Sequence, residues 1–208
     1  MKTQLVLDDW ERKDHFKFFK QFEEPFFGVC VEVDCTQFYL KCKKEGISFF
    51  LNYLHKALIA ANTIKPFRYR IEGDNVFVYD KVHASATINR PDGTFGFSYI
   101  NYYEDFPVFN VEAKKEIERV QKSRDLLPAV SGENVIHFST VPWINFTSVS
   151  HARCFSFKDS CPKITFGKIS ERDHIKKMPV SIHVHHALMD GMHVGQFIDE
   201  FQRLMIQH

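Results

Sequence analysis

Between residues 183 and 193 the chain reads His183-Val184-His185-His186-Ala187-Leu188-Met189-Asp190-Gly191-Met192-His193, which gathers imidazoles, a carboxylate and a glycine into one short stretch. Upstream, Pro179 to His186 alternates with period two. Val180, Ile182, Val184 and His186 share one face of a predicted strand, and Ser181, His183 and His185 share the other. An imidazole at the end of an apolar face gives up part of its water, which favours the neutral ring able to accept a proton. His186 is therefore a candidate general base, and Asp190 can support it directly or by organising the turn. The bland reading is a satisfied histidine at a strand end followed by ordinary Asp-Gly turn chemistry. A metal is a second use for the same residues, since His183, His185 and His193 are nitrogen ligands. No His-Glu-x-x-His, no Cys pair and no carboxylate beyond Asp190 accompany them, so no metal is expected. Gly-rich phosphate-binding patterns are absent, which disfavours kinase, dinucleotide and glycine-loop N-acetyltransferase chemistry.

The elements that must position these residues belong to a chain of 208 residues with 44% hydrophobic content, enough for one domain spanning 1–208 with a sizeable core. Twenty-two phenylalanines point to a large core, an interface or an aromatic pocket. The formal charge is +1 with both signs intermixed, so no nucleic-acid partner is expected. Five cysteines without a Cys-x-x-Cys pair, no secretory segment and no bilayer-length apolar run predict a soluble cytoplasmic protein with no membrane association.

Trp10 to Phe16 leads into an aromatic-rich segment expected to be helical and to end before Pro25, then a strand follows over Phe27 to Val33. Asp34 or Thr36 caps a short helix, and Ser48 caps a buried one reaching about Asn62. Strands are expected near Phe67 to Ile71, Asn75 to Tyr79, His83 to Asn89 and Phe95 to Ile100, then a charged helix over Val111 to Lys122. A loop through Pro128 and Ser131-Gly132 leads to strands near Val135 to Thr140, Ile144 to Val149, Lys163 to Ile169 and Pro179 to His186. The last helix covers about Met192 to Ile206, with Val194, Phe197, Ile198, Phe201, Leu204 and Met205 as its apolar stripe. Strands and helices do not alternate regularly, so the expected fold is α+β, a mixed sheet covered by helices.

The segment from His183 to Val194 closely resembles the active-site segment of the chloramphenicol acetyltransferase family, whose type A members carry the His-His-x-x-x-Asp-Gly motif of CoA-dependent acyltransferases. Trp10-Glu11-Arg12-Lys13-Asp14-His15-Phe16 is similar to that family's Trp-x-Arg-Lys-x-His-Phe. Phe138 to Ser148, with Ser139 and Pro142-Trp143, is similar to its Ser-x-x-Pro-Trp segment, and Pro162 to Lys168 to a fourth. The matches keep the family's order from near residue 10 to the C-terminal helix.

The resemblance implies the acyltransferase fold, acetyl-CoA as cosubstrate, no metal, and His186 as the base that deprotonates an acceptor hydroxyl in a ternary complex. It implies that Ser139 hydrogen-bonds the oxyanion, where the residue alone reads as a strand hydroxyl bonded to backbone. Thr165 matches a threonine that works through bound water. Asp190 and Arg12 are implied as a buried ion pair supporting the site, against a solvated Arg12. In the acceptor pocket, Phe19 stands where many members have a tyrosine, Phe27 keeps an aromatic wall, and His151 and Lys163 fall at positions that are apolar in well-known members. The resemblance also implies a homotrimer with active sites between subunits and chloramphenicol or a related small alcohol as acceptor. The alternatives are an acetyltransferase with a different acceptor, and a non-catalytic module that binds acyl-CoA or a small molecule.

Overall fold

The computed structural model describes residues 1–127, 132–154 and 158–207. The chain runs β1 (Lys2–Gln4), α1 (Lys13–Phe19), β2 (Phe26–Asp34), α2 (Thr36–Glu45), α3 (Phe49–Thr63), β3 (Tyr69–Glu72), β4 (Asn75–Tyr79), β5 (His83–Asn89), β6 (Phe95–Phe97) and α4 (Phe106–Lys122). It continues through β7 (Val135–Val141), β8 (Lys163–Gly167), β9 (Ser170–Arg172), β10 (Ile175–His185) and α5 (Gly191–Ile206). A small antiparallel sheet has the order β1-β4-β3. The main sheet has seven strands in the order β2-β10-β8-β7-β5-β6, with β9 on β10. Pairing of β7 with β5 and β8 is parallel, and β10 is antiparallel to β2 and β8, so the sheet is mixed and the fold is α+β.

One face of the main sheet is the core. Ala84, Ala86, Ile136, Phe138, Ile164, Phe166, Val180, Ile182 and Val184 alternate into it and are all buried. The helices close over that face. Ser48 Oγ accepts from the Leu51 N–H at 3.2 Å to start α3, whose Leu51, Leu54, Ala57, Leu58 and Ala61 are fully covered. On α5, Val194, Phe197, Phe201 and Met205 are fully buried, each contributing about 1.5–3 kcal/mol of transfer free energy. Ile198 and Leu204 lie at the margin of the stripe.

Several expected elements are corrected. The strand expected near Ile144 to Val149 is irregular, because Pro142-Trp143 turns the chain (Ile144 N–H to Val141 O, 3.2 Å) and Lys168 N–H then bonds to Ile144 O at 2.8 Å. Gly167 permits this approach, since a Cβ there would stand 2.5 Å from Pro179 and 2.8 Å from Phe146. The helix expected from Val111 begins at Phe106, where Asp105 Oδ1 accepts from the Val108 N–H at 3.0 Å and Pro107 occupies the first turn. Lys65–Arg68 forms a 3-10 turn ahead of β3. The strand from Phe95 stops at Phe97, with an isolated bridge at Ile100. Lys2–Gln4 and the β9–β10 hairpin, which turns through Asp173 and His174 at positive φ, were not anticipated. The expected loop through Pro128 and Ser131 lies outside the described residues.

Candidate active site

Two groups of side chains carry the chemistry-bearing residues, and within one chain they are separate. The first surrounds His186. β10 ends at His185, one residue earlier than the alternation predicts, because Leu188 and Met189 donate to the His185 carbonyl at 2.9 and 3.3 Å and pull the chain into a turn. His186 therefore opens that turn and does not end the apolar face. Its N–H donates to Pro25 O at 2.8 Å, which ties the turn to the approach to β2. Its half-buried ring stacks on Phe19 (4.0 Å between centroids, 19°) and leans on Phe27 (4.6 Å, 49°). Nδ1 lies 3.3 Å from Met189 O, so a proton held there leaves Nε2 as the accepting atom.

Asp190 makes no contact with the imidazole of His186. It caps α5, where Oδ1 accepts from the Met192 N–H at 3.1 Å. Oδ2 pairs with Arg12 Nη1, and Arg12 Nη2 donates to the His186 carbonyl at 3.2 Å. Burial pushes the Asp190 carboxyl up, but a protonated His193, the Arg12 guanidinium and the hydrogen bonds that the carboxylate accepts outweigh it and hold the group below its ordinary range. His193 Nδ1 stands 2.9 Å from Asp190 Oδ1.

The second group lies on the main-sheet face opposite the core. Strand register sets Ser139, Thr165 and Ser181 in one row, and His137, Lys163, His183 and Gly28 in the next. Ser139 has no side-chain hydrogen bond among the described residues. Thr165 Oγ1 lies 3.5 Å from His151 Nε2, and the His151 ring meets His183 edge-on at 4.8 Å. A Cβ on Gly28 would stand 2.5 Å from the His183 ring, so the glycine makes room for it. Lys163 is buried, ion-paired with Asp159, donating to Cys161 O at 3.2 Å, and 4.6 Å from the centre of Phe26. Arg153 lies over the same ring at 3.7 Å and pairs with Glu24 at 2.8 Å. Burial, then the cations around it, lowers the His151 imidazole to about 4. His137 and His185 are likewise lowered to about 4, chiefly by burial. A cavity of about 590 Å³ opens over this face, with Phe95, Phe97, Tyr99 and Leu127 on one side and His137, Ser139, His151 and Lys163 on the other. His186, Phe19 and Phe27 do not line it.

The three histidines weighed as metal ligands do not converge. His193 faces Asp190, His183 meets His151, and His185 Nδ1 accepts from the Ala187 N–H at 3.2 Å. Among the described residues, His137, Asp159 and Cys161 do come together, with ligand atoms within 4.8 Å of one another, and there the Lys163 ammonium already pairs with Asp159. Sequence reasoning missed His137, Phe26, Arg153 and Asp159. Strand alternation two residues before Ser139 signals His137 and the four-residue spacing to Lys163 signals Asp159, but nothing local signals Phe26 or Arg153.

A mixed α+β sheet closed on one face by helices carries a turn-borne histidine at the end of its longest strand, β10, and comparison with known proteins places this arrangement among acyltransferases. A family model for chloramphenicol acetyltransferase matches residues 1–202, and the chain belongs to that family. A chloramphenicol acetyltransferase from Klebsiella sp is 27% identical over 202 residues, 97% of this chain and 92% of that protein. A solved chloramphenicol acetyltransferase superimposes with a TM-score of 0.89 at 31% identity, covering 99% of this chain and 100% of its own. A probable dihydrolipoamide acetyltransferase from Listeria monocytogenes, 17% identical with a TM-score of 0.67 over 92% and 88% of the two chains, shares the fold.

Proposed function

We propose that this protein is an acetyl-CoA-dependent O-acetyltransferase that acetylates chloramphenicol or a related small alcohol, working as a single-domain chain in a homotrimer. His186 Nε2 takes the proton of the acceptor hydroxyl as its oxygen attacks the thioester carbonyl carbon. Ser139 donates to the resulting oxyanion. Collapse breaks the carbon–sulfur bond, and the proton passes from His186 to the departing thiolate of CoA. No acyl-enzyme is formed. The observation that carries this reading is the way the His186 turn is held, with Phe19 and Phe27 on the ring, Met189 O at Nδ1 and the Asp190–Arg12 pair beneath the carbonyl.

The separation of His186 from the cavity lined by Ser139 supports a trimer in which one subunit supplies the base and its neighbour supplies Ser139 and the acceptor pocket. Exposed Trp143 and Ile144 are apolar surface for such an interface. In this arrangement Phe19 and Phe27 meet the acceptor from the side of the base, and His151 and Lys163 from the opposite wall, with Thr165 behind Ser139. Free thiols at Cys30, Cys35, Cys42 and Cys161 suit the reducing cytoplasm. Among the described residues no helix is long and apolar enough to cross a membrane.

The test is release of free CoA thiol with chloramphenicol, comparing the wild type with His186→Ala. Removing a general base is expected to cost about 10²–10⁴-fold in turnover with the fold intact. Undiminished turnover in the variant removes His186 as the base, whereas a wild type that binds acetyl-CoA but leaves chloramphenicol untouched directs the search to other alcohols.

A further inference from the structure

The supports of the 186–190 turn meet at Asp190, and Asp190 touches one side chain for which the reaction above has no use. His193, in the first turn of α5, places Nδ1 3.2 Å from the Asp190 backbone nitrogen and 2.9 Å from its Oδ1. One protonation state cannot satisfy both contacts, because the N–H needs a lone pair on Nδ1 and the carboxylate needs a proton there. With the proton on Nε2, the ring accepts from the Asp190 N–H while the Asp190 side chain accepts from the start of the helix, which closes a reciprocal capping box. Glu or Gln ordinarily fills that position, and a flat ring with two torsions holds the cap with less freedom than either.

We propose that His193 is a positioning residue for His186, acting through Asp190 and Arg12. Only 13% of its side chain is exposed, against 34% for Asp190 and 14% for Arg12. Asp190 is thus the loosest member of the chain of contacts, and His193, by accepting from the Asp190 N–H, fixes the backbone from which that side chain projects. Held there, Asp190 keeps Oδ2 on Arg12, and Arg12 keeps Nη2 on the His186 carbonyl. Asp190 is the charged group in contact with His193, and Arg12 pairs with Asp190 from its other carboxylate oxygen. The inference rests on His186 being the base.

The experiment measures kcat, both KM values, the pH profile of kcat/KM and thermal stability for His193→Ala, His193→Gln, Arg12→Ala and the Arg12→Ala/His193→Ala pair, with His186→Ala alongside. A base displaced by a fraction of an ångström predicts a loss of about 10-fold in kcat for His193→Ala, with each KM changed less than about two-fold. His193→Gln, which restores an acceptor for the Asp190 N–H, recovers most of the loss. The double variant is no worse than Arg12→Ala alone, because the two residues act along one path. Wild-type kcat in His193→Ala, a loss that Gln does not recover, or losses that multiply with Arg12→Ala would each overturn the proposal. Full turnover in His186→Ala would instead overturn the reading beneath it, and the proposal with it.

Discussion

The turn that carries His186 and the sheet face that carries Ser139 are both polar regions set against one core, yet they are stabilised in opposite ways. The turn is wired by groups close in sequence, where His186, Met189, Asp190 and His193 bond to one another, and two distant groups, the Arg12 guanidinium and the Pro25 carbonyl, tie them down. The sheet face is assembled from five separate segments. Phe26, His137, His151, Asp159, Lys163 and His183 meet only because strand register and the loop before β8 bring them together. Tight local wiring suits a group that must transfer a proton in one geometry. A wall drawn from many segments suits recognition, since any of its members can change without moving the base.

The largest expected difference between the regions after loss of the base itself is at Ser139. In the proposed reaction Ser139 donates to the oxyanion, so replacing it with Ala is expected to cost about 10²-fold in kcat, with the melting temperature unchanged. A wild-type kcat would assign Ser139 to packing alone. In the turn, Asp190→Ala strands the Arg12 guanidinium. With a third of the Asp190 side chain exposed, the expected stability loss is about 1.5–3 kcal/mol, below the cost of breaking a fully buried pair, and turnover falls with it. Denaturation of Asp190→Ala and Asp190→Asn checks this, and no loss in either would mean that the pair is not formed.

The effect that best separates the regions is with pH. His137, His151 and His185 have imidazoles lowered from 6.5 to about 4, so the unfolded chain takes up protons before the folded one does. Their contribution to stability is complete above pH 6.5 and is lost progressively as pH falls towards 4. The carboxyl of Asp190 is lowered too, but from 3.8, so the turn loses its support only in stronger acid. Melting followed across this range should fall steadily between 6.5 and 4, with a shallower slope when His137 and His151 are replaced by Gln. A flat profile would show that the sheet face does not bury neutral imidazoles.

The same contrast explains what could be seen in the sequence. The period-two run before His186 and the Asp190 cap are local patterns, so the end of the strand and α5 were legible within a residue of their bounds, while β10 starts four residues before the expected Pro179, at Ile175. The early end of β10 was not, because it depends on a carbonyl at His185 that takes two turn hydrogen bonds. Family resemblance pointed to Ser139, Thr165, His151 and Lys163; Asp159 stands only four residues before its partner Lys163, but the meeting of Arg153 and Lys163 on the Phe26 ring follows from tertiary approach. The irregular course of residues 144–149 was hidden for the same reason, since Gly167 admits the segment against the sheet from a distance in sequence.

The central claim, that the base and the oxyanion donor of one active site come from different subunits, is tested most directly by complementation. His186→Ala and Ser139→Ala chains, each inactive as a homotrimer, are unfolded together in equal amounts and reassembled. If neighbouring subunits supply the two residues, random assembly leaves about one quarter of the sites with both intact, and thiol release recovers to about that fraction of the wild type. If both residues act within one chain no mixed site is intact, and activity that stays at the level of the separate variants in properly reassembled trimers would contradict the account.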